Sequence, residues 1–111
     1  MQIRKTYRQV NPELLFNEVK DFTLKQGVTL GEARMDTYST SDSSSFISRG
    51  TLTFTVLSEG KQKECLRAHI VGEAKSETKL MLDIDEKLFP AEKASALQAD
   101  LDFVFSTYEV K

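Results

Sequence analysis

A single cysteine, Cys65, stands in the 111-residue sequence. It excludes an internal disulfide and fits a reducing compartment. Histidine is as scarce: His69 is the only one, so any histidine-based triad or metal site has to be built on it. No apolar run reaches the ~20 residues that a membrane-spanning helix needs, and the first residues carry no apolar signal-peptide core. Charge of one sign is lacking too. With 15 Lys and Arg against 17 Asp and Glu, the chain has no basic stripe of the kind that nucleic-acid binders carry. Only Arg4, Lys5 and Arg8 cluster locally. The expectation is a cytoplasmic protein with no nucleic-acid partner and no membrane span.

What is present suits a folded domain. The sequence is 40% hydrophobic and 29% charged, an ordinary balance for a soluble globular chain, and it is expected to form a single domain over residues 1–111. "QIRKTYRQV" places Ile3 and Tyr7 on one side of a strand, with Arg4, Thr6 and Arg8 on the other. "NPELLF" then opens a helix of about four turns. Asn11 caps it, Pro12 takes the first helical position, and Gly27 supplies the stop. Leu15, Phe16, Val19, Phe22 and Thr23 share its apolar face.

From Val28 the period falls to two. Ala33, Met35 and Thr37 mark one strand, and Leu52, Phe54 and Val56 the next. Leu66, Ala68 and Ile70 mark a third, and Leu80, Leu82 and Ile84 a fourth. Helical spacing returns after Pro90, where Ala94, Leu97, Leu101, Val104, Phe105 and Tyr108 form one stripe. The predicted class is α+β with order β-α-β-β-β-β-α. Every element is apolar on one side only, so an antiparallel meander with both helices on one face is expected.

The hydroxyl-rich "YSTSDSSSF", Tyr38 to Phe46, reads as a hairpin tip. Facing residues must lie on the same side of the sheet. Pairing Ala33 with Leu52 and Met35 with Gly50 meets that rule and sets Asp36 against Arg49 and Tyr38 against Ile47. This register closes at Thr40 and Ser45 and leaves Ser41–Ser44 as the loop. A phosphate cradle would need glycines, and none precedes Gly50.

Catalytic chemistry is thin. Cys65 and His69 read as outward residues of one strand face, ~13 Å apart at the usual strand rise, too far to act together. Asp83 is the candidate partner for His69. Asp83 and Asp85 read as sharing a face ~7 Å apart, a spacing that cross-strand pairing with Lys63 or Arg67 explains. No catalytic set, metal site or cofactor is expected. A binding cavity between sheet and last helix would be lined by Met35, Phe54, Leu97, Leu101, Val104, Phe105 and Tyr108. Gly31 and Gly50 would let the sheet bend away to open it.

The order of strand, helix, meander and long C-terminal helix resembles a reduced helix-grip fold, as in the START and polyketide-cyclase-like (SRPBCC) superfamily. It is also similar to small proteins associated with polyhydroxyalkanoate granules. The first resemblance spans the chain and implies a hydrophobic cavity beneath the last helix. It implies no catalytic residues, because that superfamily has no universal set. Three functions fit these readings. The leading one is a non-enzymatic protein holding a small apolar ligand between sheet and helix. The second is an interaction or homo-oligomeric assembly module working through a sheet face or edge. The last is an enzyme built on His69 and Asp83.

Overall fold

A computed structural model describes residues 1–39, 46–73 and 75–110. The elements are β1 (Gln2–Arg8), α1 (Pro12–Leu24), β2 (Thr29–Ser39), β3 (Phe46–Ser58), β4 (Lys61–Gly72), β5 (Glu77–Ile84) and α2 (Ala91–Phe105). A 3-10 turn, Ser106–Tyr108, follows α2. The strands form one five-stranded sheet in the order β1-β5-β4-β3-β2, antiparallel throughout. Consecutive hairpins build β2 to β5, while α1 carries the chain from one edge of the sheet to the other.

Local chemistry explains the first helix. The Asn11 Oδ1 accepts the N–H of Glu13 at 2.8 Å and that of Leu14 at 3.4 Å, satisfying donors that a helix start leaves free. Pro12 occupies the first turn, and Gly27, at φ +87°, turns the chain toward β2. Leu15, Phe16, Val19 and Thr23 are buried, as their spacing predicts.

The core joins three surfaces. The sheet contributes Leu52, Phe54, Leu66, Ala68, Ile70, Leu80, Leu82 and Ile84; α1 contributes Leu15 and Val19; α2 contributes Leu97, Leu101 and Phe105. Each fully buried Leu or Phe stabilises the fold by about 1.5–3 kcal/mol as an upper bound. Tyr7 from β1 meets Phe105 with ring centroids 5.6 Å apart, tying the far edge of the sheet to the end of α2. Lys5, also on this face, reaches Asp102 at 3.3 Å and Glu109 at 3.4 Å.

The β2–β3 register is the expected one, with Ala33 facing Leu52, Met35 facing Gly50, Asp36 facing Arg49 and Tyr38 facing Ile47. The described ladder ends with Ser39 facing Phe46. The loop Ser41–Ser44 and its closing pair lie outside the described residues. Gly31 and Gly50 divide the roles expected of them. A register shift lies between Leu30 and Ala33, where the Glu32 N–H donates to the Thr53 Oγ1 at 2.7 Å. A Cβ on Gly31 would sit 2.7 Å from that same oxygen, so glycine is what the bulge requires. Gly50 lies in unbroken ladder and instead makes room: a Cβ there would sit 2.6 Å from the Phe16 ring.

Gly72 is tighter still, because an added Cβ would meet the backbone of β5, with Thr78 Cα at 2.5 Å. A ring edge can turn aside and a ladder strand cannot. Gly72→Ala should therefore lower the urea midpoint more than Gly50→Ala, whose cost is expected at about 1–3 kcal/mol. Equal midpoints, or the reverse order, would contradict this packing.

Candidate functional site

The residues expected to line a cavity do not all come together. Phe54, Leu97 and Leu101 are 0% exposed and Phe105 is 2% exposed. Zero exposure means that no water-sized space touches Phe54, Leu97 or Leu101; they sit in solid core. Met35 is half-buried at the β2 side. Val104 and Tyr108 correct the expected stripe, being 40% and 45% exposed. The helix ends at Phe105, and the chain then folds back so that Glu109 bridges to Tyr7 and the Val110 N–H donates to the Thr6 carbonyl at 2.7 Å. Tyr108 rides on that turn, past the last helical residue.

Cys65 is a second correction. Phe54 faces Leu66 but Thr55 faces Glu64, so Cys65 is the extra residue of a bulge in β4. The bulge turns its side chain inward. Cys65 is 1% exposed, and its Sγ lies 3.4 Å from the Phe54 carbonyl oxygen, which accepts the thiol proton. Burial pushes the thiol upward in pKa, the opposite of what a nucleophilic thiolate needs. It shares no face with His69.

His69 faces Met81, and Asp83 faces Arg67 on the next row of the same face. His69 and Asp83 are thus diagonal neighbours, ~7–8 Å apart. Asp83 accepts a hydrogen bond from the Gln2 Nε2 at 2.9 Å, while the Arg67 guanidinium turns to Glu64 at 2.9 Å. Asp85 lies beyond the end of β5 and accepts the N–H of Lys87 at 3.0 Å, so it is not a strand-face companion of Asp83. Tyr7 is held above the usual phenol range, first by burial and then by the charges of Glu109 and Asp102, and so stays protonated. Among the described residues no group of three or more His, Cys, Asp or Glu side chains is placed to hold a metal. No described helix is long and apolar enough to cross a membrane.

What the sheet leaves bare is its outer face. Ladder pairing aligns Arg4, Met81, His69, Thr51 and Arg34 in one row across β1, β5, β4, β3 and β2. The adjacent row runs Thr6, Lys79, Val71, Arg49 and Asp36. Met81, His69 and Val71 are half-buried, and with Arg4, Thr6 and Lys79 they line an open depression of about 590 Å³. Ile47 continues the apolar midline beside Tyr38. Arg4, Lys79, Arg49 and Arg34 surround this centre, with Asp36 the one acid in the two rows. On the helical side α2 carries Glu92, Asp100 and Asp102 beside Lys93.

Comparison with protein-family models, with curated proteins and with solved structures finds no match for this chain. The outer face therefore has to be judged on its own geometry. Sequence reasoning had its parts, since Met81, Val71 and His69 alternate with the core set, but the rows emerge only once all five strands are in register.

A buried, uncharged Cys65 should react with a thiol reagent at pH 8 at least about 100-fold more slowly in the native protein than in denaturant. That ratio corresponds to an opening free energy of about 2.8 kcal/mol. Native labelling at the unfolded rate would place the thiol on the surface.

Proposed function

We propose that this protein is a non-enzymatic interaction module whose working surface is the open outer face of the sheet, and that this surface takes an acidic segment of a partner protein. One observation carries the reading: both helices cover the inner face, while Met81, Val71 and Ile47 stay only half-buried on the other, inside a rim of Arg4, Arg34, Arg49 and Lys79. Covering the aliphatic midline gives affinity, and the surrounding cations steer an acidic partner and fix its orientation. A protein partner fits better than nucleic acid. The centre is aliphatic rather than aromatic and offers bases no stacking platform.

A ligand between sheet and α2 would have to open a space beside Phe54, Leu97 and Leu101, which have none. The enzyme reading would need His69 and Asp83 to share a proton across a diagonal, while Asp83 is already held by Gln2. The reduced helix-grip likeness belongs to this proposal as a statement about fold, resting on element order alone.

The test is a two-dimensional NMR titration with synthetic peptides that carry an aliphatic centre flanked by Asp and Glu. Shifts should gather on Met81, His69, Val71 and Thr51, fade with added salt, and weaken at least about tenfold in Arg4→Glu and Lys79→Glu variants. No shifts from any such peptide would count against the reading. Shifts at Leu97, Leu101 and Phe105 on adding a fatty acid would return the function to the interior.

A further inference from the structure

The sheet ends on two edges, β1 and β2. The edge of β1 is partly occupied by Glu109 and Val110, which pair with Tyr7 and Thr6. From Ala33 to Ser39 the outer side of β2 has no backbone partner among the described residues, and its side chains are mostly exposed. The bulge at Gly31 and Glu32 blunts the start of this edge, but beyond it there is no proline and the two charges, Arg34 and Asp36, are of opposite sign, so the segment is a template for another strand. We propose that β2 pairs antiparallel with β2 of a second copy of this chain, about a two-fold axis passing through Met35.

Charge selects both the occupant and the register. An antiparallel two-fold pair requires an axis normal to the sheet, so inner residues face inner residues and outer face outer. With the axis at Met35, Arg34 of each copy faces Asp36 of the other. Within one chain the Arg34 Nε already lies 2.8 Å from the Asp36 Oδ2. The two-fold sets this pair against its own reverse, producing a ring of alternating charge on the outer face. On the inner face Met35 meets Met35, a soft side chain that adapts to its own copy, and Ala33 faces Thr37.

Neighbouring registers lose this match. An axis at Arg34 sets Arg34 against Arg34, and one at Asp36 sets Asp36 against Asp36; like charges directly opposite destabilise a ladder. An axis at Ala33 also pairs opposite charges, Arg34 with Glu32, but it centres the ladder on the bulge at Gly31 and Glu32, whereas the axis at Met35 gives a ladder from Ala33 to Thr37 that stops short of it. An axis at Thr37 faces Asp36 with Tyr38 and pairs no opposite charges. Of the registers that stay clear of the bulge, only the one at Met35 pairs opposite charges. The result is a continuous sheet spanning both copies, with the two open faces side by side. This deepens the interaction-module reading by naming a second surface and its occupant, and it does not require the open face to be filled.

Sedimentation equilibrium and paired cysteine variants test it. Wild type should sediment as a monomer–dimer equilibrium. Arg34→Asp, which puts Asp against Asp across the axis, should weaken the dimer at least about tenfold. The double variant Arg34→Asp with Asp36→Arg, made in an Arg49→Asp background so that position 36 keeps an opposite charge facing it on β3, reverses every pair across the axis and should restore it. Under mild oxidation Met35→Cys should give a disulfide-linked dimer, because facing residues lie ~4.5–5.5 Å apart between Cα atoms, within disulfide reach. Thr37→Cys should not, since its own copies lie ~13 Å apart in this register. Circular dichroism confirms that each variant is folded. A strict monomer up to about 1 mM, a double variant that stays monomeric, or cross-linking at Thr37 in place of Met35 would overturn the proposal. A peptide that binds the open face of a monomeric wild type would leave the functional reading standing while removing this one.

Discussion

The packing of both helices onto one face of the sheet is the contact on which the rest of the molecule depends. β3, β4 and β5 present aliphatic residues at alternate positions, and Leu15, Val19, Leu97 and Leu101 meet them from above. Because the alternation has a period of two and both helices lie on one face, the other face is left to solvent. An interior without space beside Phe54, Leu97 and Leu101, and an exterior with a bare aliphatic midline, are two results of the same arrangement.

Electrostatics follows the same division. The acids of α2 are partly neutralised from below and beside: Lys5 reaches Asp102, and Lys25 from the end of α1 reaches Asp100 at 3.4 Å. The arginines of the outer face have no helix above them. Arg67 is drawn to Glu64, and Arg34 to Asp36, yet Arg4 and Lys79 lie open beside Met81. Exposed pairs of this kind contribute little stability. Their consequence is the field they give to one side of a chain whose formal net charge is -2.

The sequence revealed those features that depend on a regular period. The α1 cap at Asn11, the core residues of β3 to β5 and the β2–β3 register were legible because each rests on alternation or on a local cap. The charge match of Asp36 with Arg49 was enough to choose the register, although the surface pair itself is weak. Cys65 was misplaced because a bulge adds one residue to β4, and one residue reverses the face of a side chain. The one sign of that insertion is that "KECLRAH" sets two apolar residues side by side, Cys65 and Leu66, and a small thiol suits either face of a strand. Tyr108 was drawn into a helical stripe because nothing in "FSTYEVK" announces that the chain leaves the helix after Phe105 to pair with β1. The candidate surface was the least legible part, since its rows join residues from five strands.

With Phe54, Leu97 and Leu101 at 0% exposure, the sheet–α2 interface is solid. Native-state hydrogen exchange tests it most directly, by comparing opening free energies of the α2 amides at Leu97 and Leu101 with those of β4 at Ala68 and Ile70. If the interface is solid, α2 opens only when the whole domain unfolds, with the same free energy and the same dependence on denaturant as β4. An α2 that opens well below the global free energy, while β4 stays protected, would make the helix a lid and contradict the account.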